Sequence, residues 1–346
     1  MPEFQKKLGL SIKQSNLCSE IILPTDKERT AVCCLSSVNL EYYDEWKNDS
    51  DFLRDTAEML DNVLQYFIDN APDAISRAKY SASRERSIGV GALGFHAYLQ
   101  RNNIAFESPM AIGRNRQIFK HIREGLDDAN LELGKLRGEA PDAAGTGQRF
   151  SHLMAIAPNA SSSIIMGNTS PSVEPYRANA YRQDTLSGAY LNKNKYLDKI
   201  IMNHLSPDSS PLTPRGEDEY QQIWSSIIAN DGSVQHLDIL DEWTKDVFKT
   251  SMEIDQRWVV EHAADRQHFI DQAQSINLFF RPDVNIKYLH AVHFLAWKMG
   301  LKTLYYCRSE KIGKADKVAK KIERQAIQEI DLKALTEGDV CLACEG

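Results

Sequence analysis

Residues 275–306 impose the tightest constraint on the fold. Ser275-Ile-Asn-Leu-Phe-Phe280 reads as a strand, Lys287 to Met299 as a helix and Leu301 to Tyr306 as a second strand. A helix between two strands is the signature of a crossover, so the two strands are expected to run parallel. Parallel strands need cover on both faces, and helical patterns are plentiful. Over 50–69, Phe52, Ala57, Leu60, Val63, Leu64 and Phe67 recur at helical spacing. Helices are also predicted over 87–101, 108–136, 195–204, 217–229 and 242–263, with a short one opening at Ile164. Residues 16–40 read as two short strands around the turn chemistry of Pro24-Thr-Asp-Lys-Glu28. His152 to Ala157 reads as a further strand, and 174–192 is ambiguous. The result is a helix-rich mixed α/β chain without internal repeats. Residues 309–335 are highly charged and predicted helical, and Gly338 to Gly346 form a short acidic tail, expected to be mobile.

Composition excludes several classes. Lys and Arg number 41 against 48 Asp and Glu, a formal charge of −7, which argues against capture of nucleic acid. No run of about 18 apolar residues exists to span a membrane. The start, Met1-Pro-Glu-Phe-Gln-Lys-Lys7, has no apolar signal core, so a cytoplasmic protein is expected. Six cysteines in 346 residues are too few for a disulfide scaffold. They gather at the ends, as Cys18, Cys33 and Cys34, then Cys307, Cys341 and Cys344. No histidine cluster has metal spacing, and no metal site is expected.

Asn16-Leu17-Cys18-Ser19-Glu20 sets an amide, a thiol and a carboxylate at alternate positions. On an extended segment these share one face, about 6.5–7 Å apart, as orienter, reactive atom and proton acceptor around one small substrate. An edge strand with a half-buried cysteine accounts for the same spacing. Cys33-Cys34 would lie on the neighbouring strand, one side chain to each face, with two packed apolar thiols as the plain alternative. Gly89-Val-Gly-Ala-Leu-Gly94 satisfies G-x-G-x-x-G, but Ser81 to Ser87 before it is too polar for a buried strand. Small residues for close helix packing is the reading preferred there.

Six segments in order resemble the large subunit of class I ribonucleotide reductase: Asn16-Leu-Cys-Ser-Glu20 with Ala31-Val-Cys-Cys-Leu-Ser-Ser-Val-Asn-Leu40, Ser87 to His96, Ala157 to Ser163, Asp271 to Leu278, Leu301 to Tyr306, and Cys341-Leu-Ala-Cys344. The resemblance implies the second half of a ten-stranded α/β barrel, with a catalytic finger loop near the N-terminus and a mobile C-terminal tail. The expected division is a barrel half over 1–306 and a charged linker with redox tail over 307–346. It implies a transient thiyl radical on Cys18, a base in Glu20, a ribose-binding amide in Asn16, and in Cys33 one member of the pair that reduces the 2′ position. Cys34 is left as packing.

Tyr305 and Tyr306 match a tyrosine pair that relays the radical. Adjacent strand residues point to opposite faces, so stacking demands that the strand end or bend there, and buried sheet tyrosines are the alternative. Pro158, Asn159, Ala160, Ser161 and Ser162 match the phosphate loop, where a helix start would offer N–H groups to an anion; a plain serine cap is the alternative. Cys341 and Cys344 match the tail pair that is recharged by thioredoxin or glutaredoxin.

The implied substrate is a ribonucleoside diphosphate. No cofactor is expected on this chain itself. The radical is expected from a metal-containing small subunit, and nucleotide effectors on a separate N-terminal large-subunit fragment, which would also carry the partner of Cys33. A split gene or a truncated polypeptide would each give such a chain. Two rival readings stay open: a non-catalytic assembly or regulatory fragment that binds the small subunit, and a stand-alone thiol oxidoreductase using the tail pair.

Overall fold

A computed structural model describes residues 1–185, 188–208 and 210–309. The expected helix over 309–335 and the cysteines at 341 and 344 lie outside the described residues, Ser309 apart.

Five extended segments lie side by side in chain order, all parallel. β1 (Cys34–Asn39) pairs with β2 (Ile88–Leu93) in register Cys34 to Ile88. β2 joins the segment 152–156 through the Val90–Met154 bridge and the bond from Val90 N to the Leu153 carbonyl, 2.7 Å. Ile156 and Gln274 bridge that segment to the next. The Asp271 carboxylate fastens the same junction by accepting from the N–H groups of Leu153 and Met154, each at 2.9 Å. A separate antiparallel hairpin, β3 (Ala180–Thr185) with β4 (Gly188–Lys193), occupies the stretch that was ambiguous in the sequence. β5 (Leu278–Phe280) and β6 (Cys307–Ser309) close the series in parallel, with the helix Ile286–Lys298 between them as the predicted crossover. Cys307–Ser309 thus belong to the sheet, past the expected boundary at 306. Among the described residues neither β1 nor β6 has a strand on its outer side.

The helices Phe52–Asn70 and Pro109–Arg137 form where apolar periodicity placed them, burying Leu53, Ala57, Leu60 and Leu64 on the first and Ile118, Ile122, Leu126 and Leu133 on the second. Ser108 caps the second by accepting from Ala111 N. The helices Lys195–Leu205 and Pro214–Ala229 bury Leu197, Ile201, Trp224 and Ile227 in a smaller core beside the hairpin. Ahead of β1, Arg29 bonds Asp142 at 2.6 Å and reaches Glu85 at 3.4 Å. Burial pushes the Glu85 carboxyl up to about 7, against the pull of Arg29.

Three expectations are corrected. Residues 88–93 are strand, with only Phe95–Arg101 helical. Buried on every residue, β2 shows none of the alternation that would mark a half-exposed strand. Its glycines serve strand packing: a Cβ on Gly91 would stand 2.7 Å from the Ala155 carbonyl, and one on Gly89 2.4 Å from Leu35. The expected helix over 242–263 is two, Glu242–Val247 and Gln256–Gln267. Between them the backbone is diverted to other partners, Phe248 O to Asn179 and Ser251 N to Tyr176 O. Finally, residues 16–20 are no strand but a closed loop.

Candidate active site

The loop closes on itself. Asn16 N donates to Ile21 O, Ser19 N donates to Asn16 O, and Ser19 takes a left-handed φ of 67°. Asn16 is exposed, and its Oδ1 accepts from Ile21 N at 3.0 Å, so the amide braces the loop. Alternation therefore does not bring the three side chains together, as the extended reading supposed. The fourth and fifth strand segments instead seat the loop. Ala273 N donates to Glu20 O at 2.9 Å, and Ser19 Oγ donates to Leu304 O at 3.2 Å. Ser275, fully buried, sets its hydroxyl 2.9 Å from Glu20 Oε2 and within hydrogen-bond reach of Cys18 O. Glu20 is 3% exposed.

From this seat the Cys18 thiol meets the Tyr305 hydroxyl at 3.5 Å. The Tyr305 and Tyr306 rings lie 3.9 Å apart between centroids, inclined by 34°. Tyr306 is 38% exposed, so sulfur, phenol and second ring form a continuous path from the loop to the surface. The strand alternation that forbids such stacking is broken here. Tyr305 N bonds Ile276 O, while Leu278 N bonds Tyr306 O, which is one residue more on the fifth segment than a regular parallel ladder accommodates. The chain bulges at the tyrosines.

Cys33 is tied to the same strand segment. Gln272 Nε2 donates to its sulfur at 3.3 Å, three residues before the serine that holds Cys18. Burial pushes the Cys33 thiol far above its ordinary range, which keeps it neutral. Cys34 packs against the main core instead, as expected of it. Cys33, Cys34 and Cys307 are free thiols.

At the end of the third segment Asn159 stands in the left-handed region, φ 54°, and its amide donates to Ser37 Oγ, Ala92 O and Ala157 O. It precedes the short helix Ala160–Ile165, whose first internal bond runs from Ser163 N to Asn159 O. Asn159, and not a serine, holds the cap position, without a side-chain cap bond. Ser161 and Ser162 are exposed. Beside this turn lies a cavity of about 280 Å³, lined in part by Ala160, Glu174, Asn277 and Arg308. Burial pushes the Glu174 carboxyl up to about 7, with Arg308 and Asn277 acting the other way.

Sequence reasoning placed Ser275, Gln272 and Asn277 inside a matched motif without giving them work, and passed over Glu174. Their signal was faint: buried polar residues on strands need partners, and Gln272, Gln274, Ser275 and Asn277 crowd one short stretch. No group of three or more His, Cys, Asp or Glu side chains among the described residues could hold a metal ion. No described helix is long and apolar enough to cross a membrane.

The family model for the ribonucleotide reductase barrel domain matches residues 3–146 and 140–307. The chain is 60% identical over 304 residues to the ribonucleoside-diphosphate reductase large subunit of Invertebrate iridescent virus 6, covering 87% of this chain and 31% of that protein. It is 56% identical over all 346 residues to the same-named subunit of Invertebrate iridescent virus 3, a match that covers 52% of that protein. Among solved structures, the Actinobacillus ureae class Id ribonucleotide reductase alpha subunit superposes with a TM-score of 0.80 at 40% identity, over 89% of this chain and 55% of that one. The chain thus spans between about a third and just over half the length of these proteins. Parallel strands, a cysteine loop seated on them and these likenesses agree: the chain belongs to the ribonucleotide reductase family, as a counterpart of the barrel-bearing C-terminal half of its large subunit.

Proposed function

We propose that this chain is the catalytic part of a ribonucleoside-diphosphate reductase, working by a thiyl radical on Cys18. The observation that carries the reading is the contact of the Cys18 thiol with Tyr305 at 3.5 Å, with Tyr306 stacked behind it. An electron leaving Cys18 toward Tyr305, with the thiol proton, would leave a sulfur radical on the loop that also carries the buried Glu20. That radical removes the 3′ hydrogen of the ribose. Glu20 takes the proton of the 3′ hydroxyl, the 2′ hydroxyl leaves as water, and Cys33 with a second cysteine supplies two electrons and two protons as they close to a disulfide. Cys18 then returns the 3′ hydrogen, Glu20 returns its proton to the 3′ oxygen, and Cys18 regains its electron and proton through Tyr305. A neutral, half-buried thiol suits the role assigned to Cys33, since it stays protonated until it reacts. Asn16 orients the ribose hydroxyls in this scheme, which requires its amide to turn from the loop toward the sugar. Pro158 to Ser162 receive the phosphates, supported by the exposed serines and the short helix behind them.

The partners follow from the same reading. The open outer sides of β1 and β6 support a second half barrel, supplied by an N-terminal large-subunit fragment that also brings the partner of Cys33 and any effector site. The radical comes to Tyr306 from a metal-containing small subunit. Cys341 and Cys344 reduce the active-site disulfide back to thiols by exchange, ending as a disulfide that thioredoxin or glutaredoxin reduces in turn, in a reducing, cytoplasmic setting. Mixing this chain with the N-terminal fragment and the small subunit, then assaying conversion of a ribonucleoside diphosphate to its 2′-deoxy product, tests the proposal. Turnover by the assembled mixture, and none by any component alone, is the expected result. An assembled but inert complex would favour a non-catalytic fragment, and dithiol exchange by the isolated chain would favour a stand-alone thiol oxidoreductase.

A further inference from the structure

The bulge at the tyrosine pair leaves one backbone donor without a ladder acceptor, the Tyr306 N–H. It is taken by a side chain: Asn277 Oδ1 accepts it at 3.1 Å. Asn277 is 2% exposed, and its other end is fixed as well, since Nδ2 donates to Glu174 Oε1 at 2.6 Å. The Tyr306 N–H can only donate, so it takes the amide's oxygen, and the Glu174 carboxylate, when ionised, can only accept and holds Nδ2 at the other end. Glu174 is itself 6% exposed, and its backbone N–H is bonded to Pro171 O. The Arg308 guanidinium also stands 5.0 Å from the Tyr306 ring centroid.

We infer that Glu174 and Asn277 are positioning residues that hold the Tyr305–Tyr306 stack, with Glu174 setting the orientation of the Asn277 amide and that amide setting the backbone of Tyr306. The inference rests on the proposed relay for its functional meaning, but its geometric content stands apart from it. Neither residue touches the tyrosine hydroxyls or Cys18 through any bond described above; they act through the strand. The function is to keep two adjacent residues on one face of a sheet that would otherwise separate them.

Reversing the polarity of the pair provides the test. In Asn277→Leu the Tyr306 N–H loses its acceptor and Glu174 its donor, and in Glu174→Ala the amide loses its anchor. The double variant Glu174→Gln with Asn277→Asp restores one bond with the donor on the other partner, while the carboxylate introduced at position 277 still accepts from Tyr306 N–H. Each full-length chain is made with 3-fluorotyrosine at position 306 and read by fluorine NMR, and each is assayed in the assembled reductase. In the two single variants the resonance moves toward that of free fluorotyrosine, and turnover falls roughly ten- to a hundredfold, the scale of a misplacement near 1 Å. In the double variant both return toward the parent. A resonance that stays in place in both single variants overturns the inference, whatever the turnover. So does a double variant no better than Asn277→Leu in the spectrum. Resonances that move and return while turnover never changes support the positioning and reject the relay, which separates the two failures.

Discussion

Replacing Ser275 by alanine isolates the contact that seats the Cys18 loop. The Ser275 hydroxyl is fully buried, 2.9 Å from the Glu20 carboxylate and within reach of the Cys18 carbonyl. Its removal takes away the one hydroxyl hydrogen that the Glu20 carboxylate and the Cys18 carbonyl share. A buried acceptor deprived of its partner costs about 1–3 kcal/mol. Glu20 is enclosed and Cys18 only half so, which places the loss near ~2 kcal/mol, or about thirtyfold in the folding constant. The loop keeps Ala273 N to Glu20 O and Ser19 Oγ to Leu304 O, so the fold survives. Urea unfolding of the purified chain measures the first quantity. Turnover of the assembled enzyme measures the second consequence, a fall of roughly tenfold or more as the thiol drifts from Tyr305. Ser83→Ala is the control, because that exposed hydroxyl bonds only Tyr80 O and its loss is worth about 0.5 kcal/mol or less. If Ser275→Ala matches Ser83→Ala in both assays, the serine does not seat the loop.

Three further outcomes are expected. Gly91→Ala drives a methyl to 2.7 Å from the Ala155 carbonyl, backbone that cannot yield easily, and lowers stability by about 1–3 kcal/mol in denaturant unfolding; an unchanged midpoint would contradict the close strand approach. Glu85 holds its proton more tightly folded, at about 7, than at its ordinary 4.5, so its contribution to stability is greatest below 4.5 and is lost as pH rises to 7. The stability of the parent relative to Glu85→Gln therefore falls across that window by up to about 3 kcal/mol, and a pH-independent difference would be the wrong result. Cys341→Ser with Cys344→Ser slows turnover supported by thioredoxin and spares turnover driven by a small dithiol; equal loss with both reductants would deny the tail a shuttle role.

Much of the fold was legible because the strongest signals were local. The helices Phe52–Asn70 and Pro109–Arg137 bury one stripe each, and their periodicity says so in the sequence. The crossover at 278–309 was legible from its order alone. β2 was not, because a parallel strand enclosed on both faces has no polar face to set the period. The loop at 16–21 was misread for the opposite reason: its polar alternation is real, but it closes on itself by local bonds and is seated by residues some 250 positions away. The tyrosine stack shows the boundary most clearly. Strand geometry raised the objection to stacking, and a one-residue bulge held by Asn277 answers it, a device that depends on partners distant in sequence and is invisible to pattern reading.

The most direct test of the radical site is Cys18→Ser in the enzyme assembled with the N-terminal fragment and the small subunit. Serine keeps the shape of the loop, and its O–H bond is too strong to trade a hydrogen with the sugar. The account predicts assembly at the parent affinity and deoxyribonucleotide formation at the level of the chain-free control. Measurable turnover by the serine variant would contradict it.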